Sequence, residues 1–335
     1  MVISQALESD MGHYIKVLSI DGGGIRGIIP AMILSDIEKR TKTPIAKLFH
    51  LIAGTSTGGI LALALTKPDA QGKPEYRAEK LIGFYQTEGK RIFSCSTVHK
   101  VQAVWSLWDE RYLSEGIEGV LHQYFGEARL KDAVTDVLIA SYEIERRVPY
   151  FFKTTDAKTK EGCDFSMEQV ARATSAAPTY FEPLKIEIKN STDYFALIDG
   201  GVFANNPAMC AFVEAKSIYS HEDDFLVVSL GTGELTRTLP YEKAKHWGLA
   251  AWAKPLLSVI FDGVSDTVDY QLKRLLPPGK DGRIRYYRFQ ARLDKPNDDM
   301  DDVSPENIRS LSLLGEALIR DNDQTLDILC DQLTK

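Results

Sequence analysis

Two glycine-rich segments hold the residues best suited to chemistry: Asp21-Gly22-Gly23-Gly24-Ile25-Arg26-Gly27 and Gly54-Thr55-Ser56-Thr57-Gly58. The second fits the G-x-S-x-G nucleophile elbow, a sharp strand-to-helix turn that holds a serine oxygen out for attack. In such a turn the backbone N–H after the serine, here that of Thr57, faces the oxyanion formed when an acyl carbon is attacked. The first segment supplies further backbone donors at Gly22, Gly23 and Gly24. One segment offers a nucleophile and the other offers oxyanion donors, a pairing suited to acyl transfer.

The flanking residues explain how the two would be positioned. Phe49 to Ala53 reads as a short buried strand, and Ile60 to Leu65 continues as an apolar helix. The free N–H groups and positive dipole end of that helix would favour negative charge near Ser56. Lys16 to Ile20 reads as a strand, and Ile28 to Arg40 repeats apolar residues at 29, 32, 33 and 37, a helical spacing. The first segment is therefore a glycine loop between strand and helix. Gly22-x-Gly24-x-x-Gly27 also matches the dinucleotide-binding fingerprint. That site needs a carboxylate at the end of the next strand for the ribose, and the strand here ends in Gly54-Thr55-Ser56 instead.

A serine hydroxyl needs a base. Asp199, in Ile198-Asp199-Gly200-Gly201, follows the apolar run Tyr194 to Leu197 and precedes a helix start at Asn205-Asn206-Pro207. A carboxylate at a strand end beside two glycines is placed like a catalytic group, although Asp before Gly also serves simply as a turn residue. The six histidines are weaker candidates. His13, His99 and His122 fall before the first strand or in a lid or helical segment. His50 begins the strand that leads to Ser56, out of reach of it. His221 and His246 follow Asp199 in chain order but lie in charged, surface-like stretches.

At this point the chain resembles the patatin-like phospholipase family. It carries Asp21-Gly-Gly-Gly-x-Arg26-Gly27, Gly54-x-Ser56-x-Gly58 and Asp199-Gly200-Gly201 in order. The similarity continues through Ala173-Thr-Ser-Ala-Ala-Pro178-Thr-Tyr-Phe181, Ser229-Leu-Gly-Thr-Gly233 and Met300-Asp-Asp-Val-Ser-Pro305-Glu-Asn, covering roughly residues 15 to 325. The resemblance implies a three-layer α/β/α fold with a mostly parallel sheet, and a Ser56/Asp199 dyad without histidine. It implies that N–H groups around Gly23 and Gly24 bind the oxyanion, and that Arg26 supports the loop or meets a lipid phosphate. The expected activity is hydrolysis of fatty-acyl esters in glycerophospholipids or related lipids, with neither cofactor nor metal. Some relatives are switched on by a cyclic nucleotide, so a small-molecule activator is one alternative. A catalytically silent lipid- or nucleotide-binding scaffold is the other.

Composition sets the wider frame. The chain has 335 residues without a Pro/Ser-rich linker, and the proposed catalytic residues are spread across it, which predicts one domain over 1–335. Strands are expected at 16–21, 49–54, 137–143, 194–198 and 225–230, separated by helical stretches. The N-terminus lacks a signal-peptide pattern and no run of about eighteen apolar residues occurs, so the chain reads as cytosolic, with peripheral membrane contact. The four cysteines form no metal-binding spacing. A net charge of −7 argues against nucleic-acid polymers and against strong attraction to anionic bilayers. Membrane contact would then use apolar side chains. Val104 to Trp108 and the long helix candidate Trp247 to Leu276 are the two segments suited to it. The aspartates between Asp294 and Asp302 lack the glycine and terminal glutamate of an EF-hand loop.

Overall fold

The computed structural model describes residues 14–93, 114–188, 192–236, 238–293 and 299–335. His13, Cys95, His99, Trp105, Trp108 and Asp294 to Asp298 lie outside the described residues. The sheet begins with β1 (Ile15–Ile20), β2 (Leu51–Thr55), β3 (Asp136–Glu143) and β4 (Val148–Lys153). It continues with β5 (Leu184–Glu187), β6 (Tyr194–Asp199), β7 (Phe225–Leu230) and β9 (Tyr286–Phe289), while a separate pair joins β8 (Glu234–Leu235) to β10 (Arg292–Leu293).

β1 is the centre, parallel to β2 on one side and to β7 on the other. Its side chains are buried on both faces, which is why the sequence reads as a continuous apolar run rather than an alternating one. β2 pairs parallel with β3, and β7 pairs parallel with β9. The path β3-β2-β1-β7-β9 therefore reverses direction between β1 and β7. Loops at the carboxyl ends of strands on either side of such a switch point leave a crevice for ligands.

The remaining strands are antiparallel. β4 takes one side of β3, and β6 pairs with residues 141–143 of β3 with β5 beyond it. β2 already occupies residues 136–140 of the same strand, and β4 fills the opposite side. β2 and β6 thus run towards each other along one side of β3 and meet end to end.

The main helices are α1 (Ile28–Thr41), α2 (Thr57–Thr66), α3 (Ala78–Ile92), α4 (Ser114–Phe125) and α5 (Met167–Thr174). They are followed by α6 (Ala208–Ile218), α7 (Leu249–Leu275), α8 (Pro305–Asp321) and α9 (Asp323–Thr334). One core packs α1 to α5, α8 and α9 against the face of β1 that presents Leu18 and Ile20. The other packs Ala208, Ala211, Phe212 and Ala215 of α6, with Leu272 of α7, against Ile15 and Val17. These are the three layers expected from the sequence. All ten residues of α2 are buried, so its N-terminus is held inside the molecule, pointing at the crevice.

Candidate active site

The elbow is present where the sequence places it. β2 ends at Thr55, Ser56 turns with φ 54° and ψ −126°, and α2 begins at Thr57. A non-glycine residue in this region stores strain of about 1–3 kcal/mol and persists only when its surroundings hold it. The hold is Thr174, at the end of α5. Its Oγ1 accepts the Ser56 N–H at 2.8 Å and donates to the Ala140 carbonyl of β3 at 2.6 Å. Gly58 allows the close approach on the other side, since a Cβ there would lie 2.2 Å from the Ile20 carbonyl oxygen. Thr174→Val keeps the shape but removes the clamp, and is expected to lower kcat about tenfold with little change in KM, measured by steady-state ester hydrolysis.

Asp199 arrives from the opposite direction. Thr55 is in register with Ala140, and Asp199 with the next residue, Ser141. The meeting ends of β2 and β6 therefore bring Ser56 and Asp199 together at one point of the sheet. Asp199 is buried, and its Oδ1 accepts the Gly201 N–H at 2.7 Å. Burial pushes its pKa up to about 7, and the neighbouring Ser56 side chain and Gly201 N–H only partly oppose that rise.

The glycine loop lies beside them. Its first residue, Asp21, is buried and paired with Arg288 of β9 at 2.7 Å, and Arg288 also donates to Ser229 of β7 at 2.8 Å. Arg26 is buried too, with its Nε donating to the Gly23 carbonyl at 3.3 Å. Gly24 has φ +58°, and a Cβ on it would lie 2.2 Å from the Met300 carbonyl oxygen. One expectation needs correcting. The Gly22 N–H is already donated to the Asn205 carbonyl at 3.0 Å, and the Gly22 carbonyl accepts from Thr232 Oγ1 at 2.6 Å. Gly22 is held by the protein's own groups and cannot serve as an oxyanion donor. The neighbouring Ile25 and Arg26 N–H groups are also bonded, to Met300 and Gly23 respectively.

Gly23, Gly24, Ser56, Thr57 and Asp199 all line one cavity of about 700 Å³ measured out to its open mouth. Ser175, Tyr180 and Asn205 also line it, and the rest of the wall is mostly apolar, formed by side chains such as Ile60, Phe84, Ile92, Phe181 and Phe261. Tyr85 adds one buried hydroxyl, within 2.7 Å of Thr57 Oγ1. None of the described histidines lines the cavity. His221 and His246 are exposed, His50 accepts the Lys16 N–H through Nδ1, and His122 pairs with Glu168 on the surface.

The sequence motifs did not disclose Thr174, Thr232 or Arg288 as supports. Two of the three lie in segments already singled out, Ala173 to Phe181 and Ser229 to Gly233. Among the described residues no group of three or more His, Cys, Asp or Glu is placed to hold a metal ion.

The chain is similar in sequence to several known proteins. The chain is 32% identical over 346 residues to Patatin-like protein 4 of Arabidopsis thaliana, covering 95% of this chain and 86% of that protein. It is 30% identical to Patatin-T5 of Solanum tuberosum, covering 95% and 88% of the two. It is also 33% identical to a Solanum tuberosum protein named "Probable inactive patatin-3-Kuras 1", covering 97% and 93%. Among solved structures, VipD from Legionella pneumophila aligns over 91% of this chain and 67% of that chain, at TM-score 0.34 and 14% identity. The type III effector ExoU aligns over 94% and 53%, at TM-score 0.41 and 11% identity. Residues 18–212 match the family described as patatin-like phospholipase, and on that match and the extent of the sequence relatives the chain belongs to the patatin-like phospholipase family.

Proposed function

We propose that this protein hydrolyses fatty-acyl esters of glycerophospholipids or related acyl lipids through a Ser56/Asp199 dyad. The observation that carries the reading is the convergence of Ser56, buried Asp199 and the Gly23-Gly24 backbone on one largely apolar cavity. The mostly apolar wall suits an acyl chain.

In this mechanism Asp199 accepts the Ser56 proton as Oγ attacks the ester carbon. The N–H groups of Gly23 and Gly24, with that of Thr57 at the start of α2, stabilise the tetrahedral oxyanion. Each such donor is worth about a hundredfold to a thousandfold in rate. The intermediate collapses to an acyl-Ser56, and the leaving alcohol carries away the proton held by Asp199. Asp199 then takes a proton from water, which attacks the acyl group and releases the fatty acid and free Ser56. Arg26 positions the donor loop through Gly23.

An unperturbed aspartate is a weak base, with a pKa of about 3.9. The burial that lifts Asp199 to about 7 makes it a stronger one at neutral pH. Only the ionised form accepts the proton, so kcat/KM is expected to rise with pH and level off above about 7, falling tenfold per unit below it. His221→Ala and His246→Ala are expected to keep activity within about twofold, since neither residue lines the cavity.

The test is fatty-acid release, read by mass spectrometry, from a phosphatidylcholine with two different chains. Release by the wild type that is lost in Ser56→Ala supports the reading, and the chain released identifies the ester cut. Lipid binding without release by the wild type would favour the silent scaffold.

A further inference from the structure

α7 has two apolar faces, and only one of them is used inside the molecule. Phe261, Ser265 and Leu272 form its inward row, each buried. On the opposite side Leu249, Trp252, Leu256 and Val259 recur at intervals of three and four residues, the spacing of a single helix stripe. Leu249 is 95% exposed, and Leu256 and Val259 are each 46% exposed. Trp252 stands edge-on to Trp247, with ring centroids 5.1 Å apart.

We infer that this outward stripe is the surface by which the protein docks on a lipid bilayer, an inference that rests on the acyl-lipid reading above. Three observations select a lipid surface as the occupant. Just before the helix lie Trp247, exposed Lys243, and Lys245 paired with Glu242, an aromatic border with a single positive charge in excess, suited to the interfacial zone. The stripe then stops: past Gly263 the outward positions are Asp266, Thr267, Tyr270 and Arg274, all exposed. An apolar seam of about 15 Å, ten residues at the helical rise, is far shorter than the roughly three to four heptads that mark a coiled-coil seam between two copies. Third, Phe261 on the inner side of the same helix lines the catalytic cavity. The proposed bilayer contact and part of the cavity wall thus lie on opposite faces of one helix, roughly 10 Å across. No helix among the described residues is long and apolar enough to cross the membrane, so α7 would lie in the interface.

Because apolar burial drives the contact, and the net charge is −7, binding to zwitterionic vesicles is expected to be nearly independent of salt. Burying one leucine-sized side chain changes a partition constant by about tenfold to a hundredfold. The test is co-sedimentation with dioleoyl phosphatidylcholine vesicles in the Ser56→Ala background, where binding is read without turnover. Leu256→Asp/Val259→Asp in that background is expected to lower the partition constant at least tenfold. The same pair in otherwise wild-type protein should keep hydrolysis of a soluble short-chain ester and the thermal midpoint.

A second readout leaves the stripe intact. In Trp105→Phe/Trp108→Phe protein the only remaining tryptophans are Trp247 and Trp252, and brominated-chain phosphatidylcholine is expected to quench their emission. Unchanged sedimentation of the aspartate pair, or absence of quenching, overturns the inference. A wild-type dimer in light scattering that the aspartate pair dissociates, with vesicle binding unaffected, overturns it in favour of a second copy. Loss of vesicle binding in Trp105→Phe/Trp108→Phe alone assigns the contact to the 104–108 segment and likewise overturns it. Failure of fatty-acid release with binding intact would count against the proposed activity instead.

Discussion

Asp199→Asn is expected to lower kcat/KM about a thousandfold and at the same time to make the protein more stable at neutral and alkaline pH. The first effect follows from removal of the base, since positioned proton transfer contributes about a hundredfold to ten-thousandfold. The second follows from linkage. Asp199 has a folded pKa of about 7, above the unfolded value of about 3.9. A carboxyl raised in this way contributes its full stability only below the unfolded pKa, and that contribution is lost as pH rises through the folded value. Ionised and buried, it costs on the order of 2–4 kcal/mol above pH 7. Asn keeps an oxygen to accept the Gly201 N–H but carries no charge. Calorimetry from pH 4 to pH 8 should show the thermal midpoint of the variant gaining on the wild type until about pH 7 and then running parallel. A variant that is inactive and less stable at pH 8 would mean that Asp199 holds the fold together rather than carrying a strained charge.

Arg288→Met carries the largest expected loss of stability. Arg288 neutralises Asp21 inside the molecule, with side-chain exposures of 9% and 2%. Removing only the cation leaves a buried carboxylate unpaired, which typically costs about 3–5 kcal/mol. Burial already pushes the Asp21 pKa up, and Arg288 opposes that rise. Without Arg288 the folded pKa climbs further, so the deficit is expected to grow as pH rises. Asp21→Asn/Arg288→Met removes both charges and should recover most of the lost stability, as measured by thermal unfolding at pH 8. Activity should fall with Arg288→Met, because Asp21 begins the loop that carries Gly23 and Gly24. If the single and double variants were equally stable, the pair would not be what anchors that loop.

Much of this arrangement is legible in the chain itself. β1 and β7 are buried on both faces and announce themselves as unbroken apolar runs, and the elbow glycines mark the turn at Ser56. The edge strands are less visible. β4 contains Pro149, its first two residues are exposed and only Phe152 is buried, a composition that a central strand would not tolerate but that an edge strand permits. β5 alternates Leu184 and Ile186 with charged Lys185 and Glu187 over only four residues, too short for a period to register. The bounds of β2 also differ from the expected 49–54: Phe49 and His50 precede the strand, which runs Leu51–Thr55 after a short helix at Ile45–Leu48.

The supports of the site escape sequence reading for a different reason. Thr174 reaches the Ser56 backbone across 118 positions, Thr232 reaches Gly22 across 210, and Arg288 reaches Asp21 across 267. No periodicity links partners so far apart. Gly22 is the clearest case, because the same glycine motif is compatible with a donor to substrate or a donor to Asn205, and only the fold decides.

The central claim is that Ser56 carries the acyl group while Asp199 moves its proton. The direct measurement is to quench the enzyme during turnover of a slowly deacylated ester and to locate the adduct by peptide mass spectrometry. An acyl group on the peptide containing Ser56 in the wild type, and its absence in Asp199→Asn under the same conditions, is the expected result. Turnover without an adduct on Ser56, or equal acylation in Asp199→Asn, would contradict it.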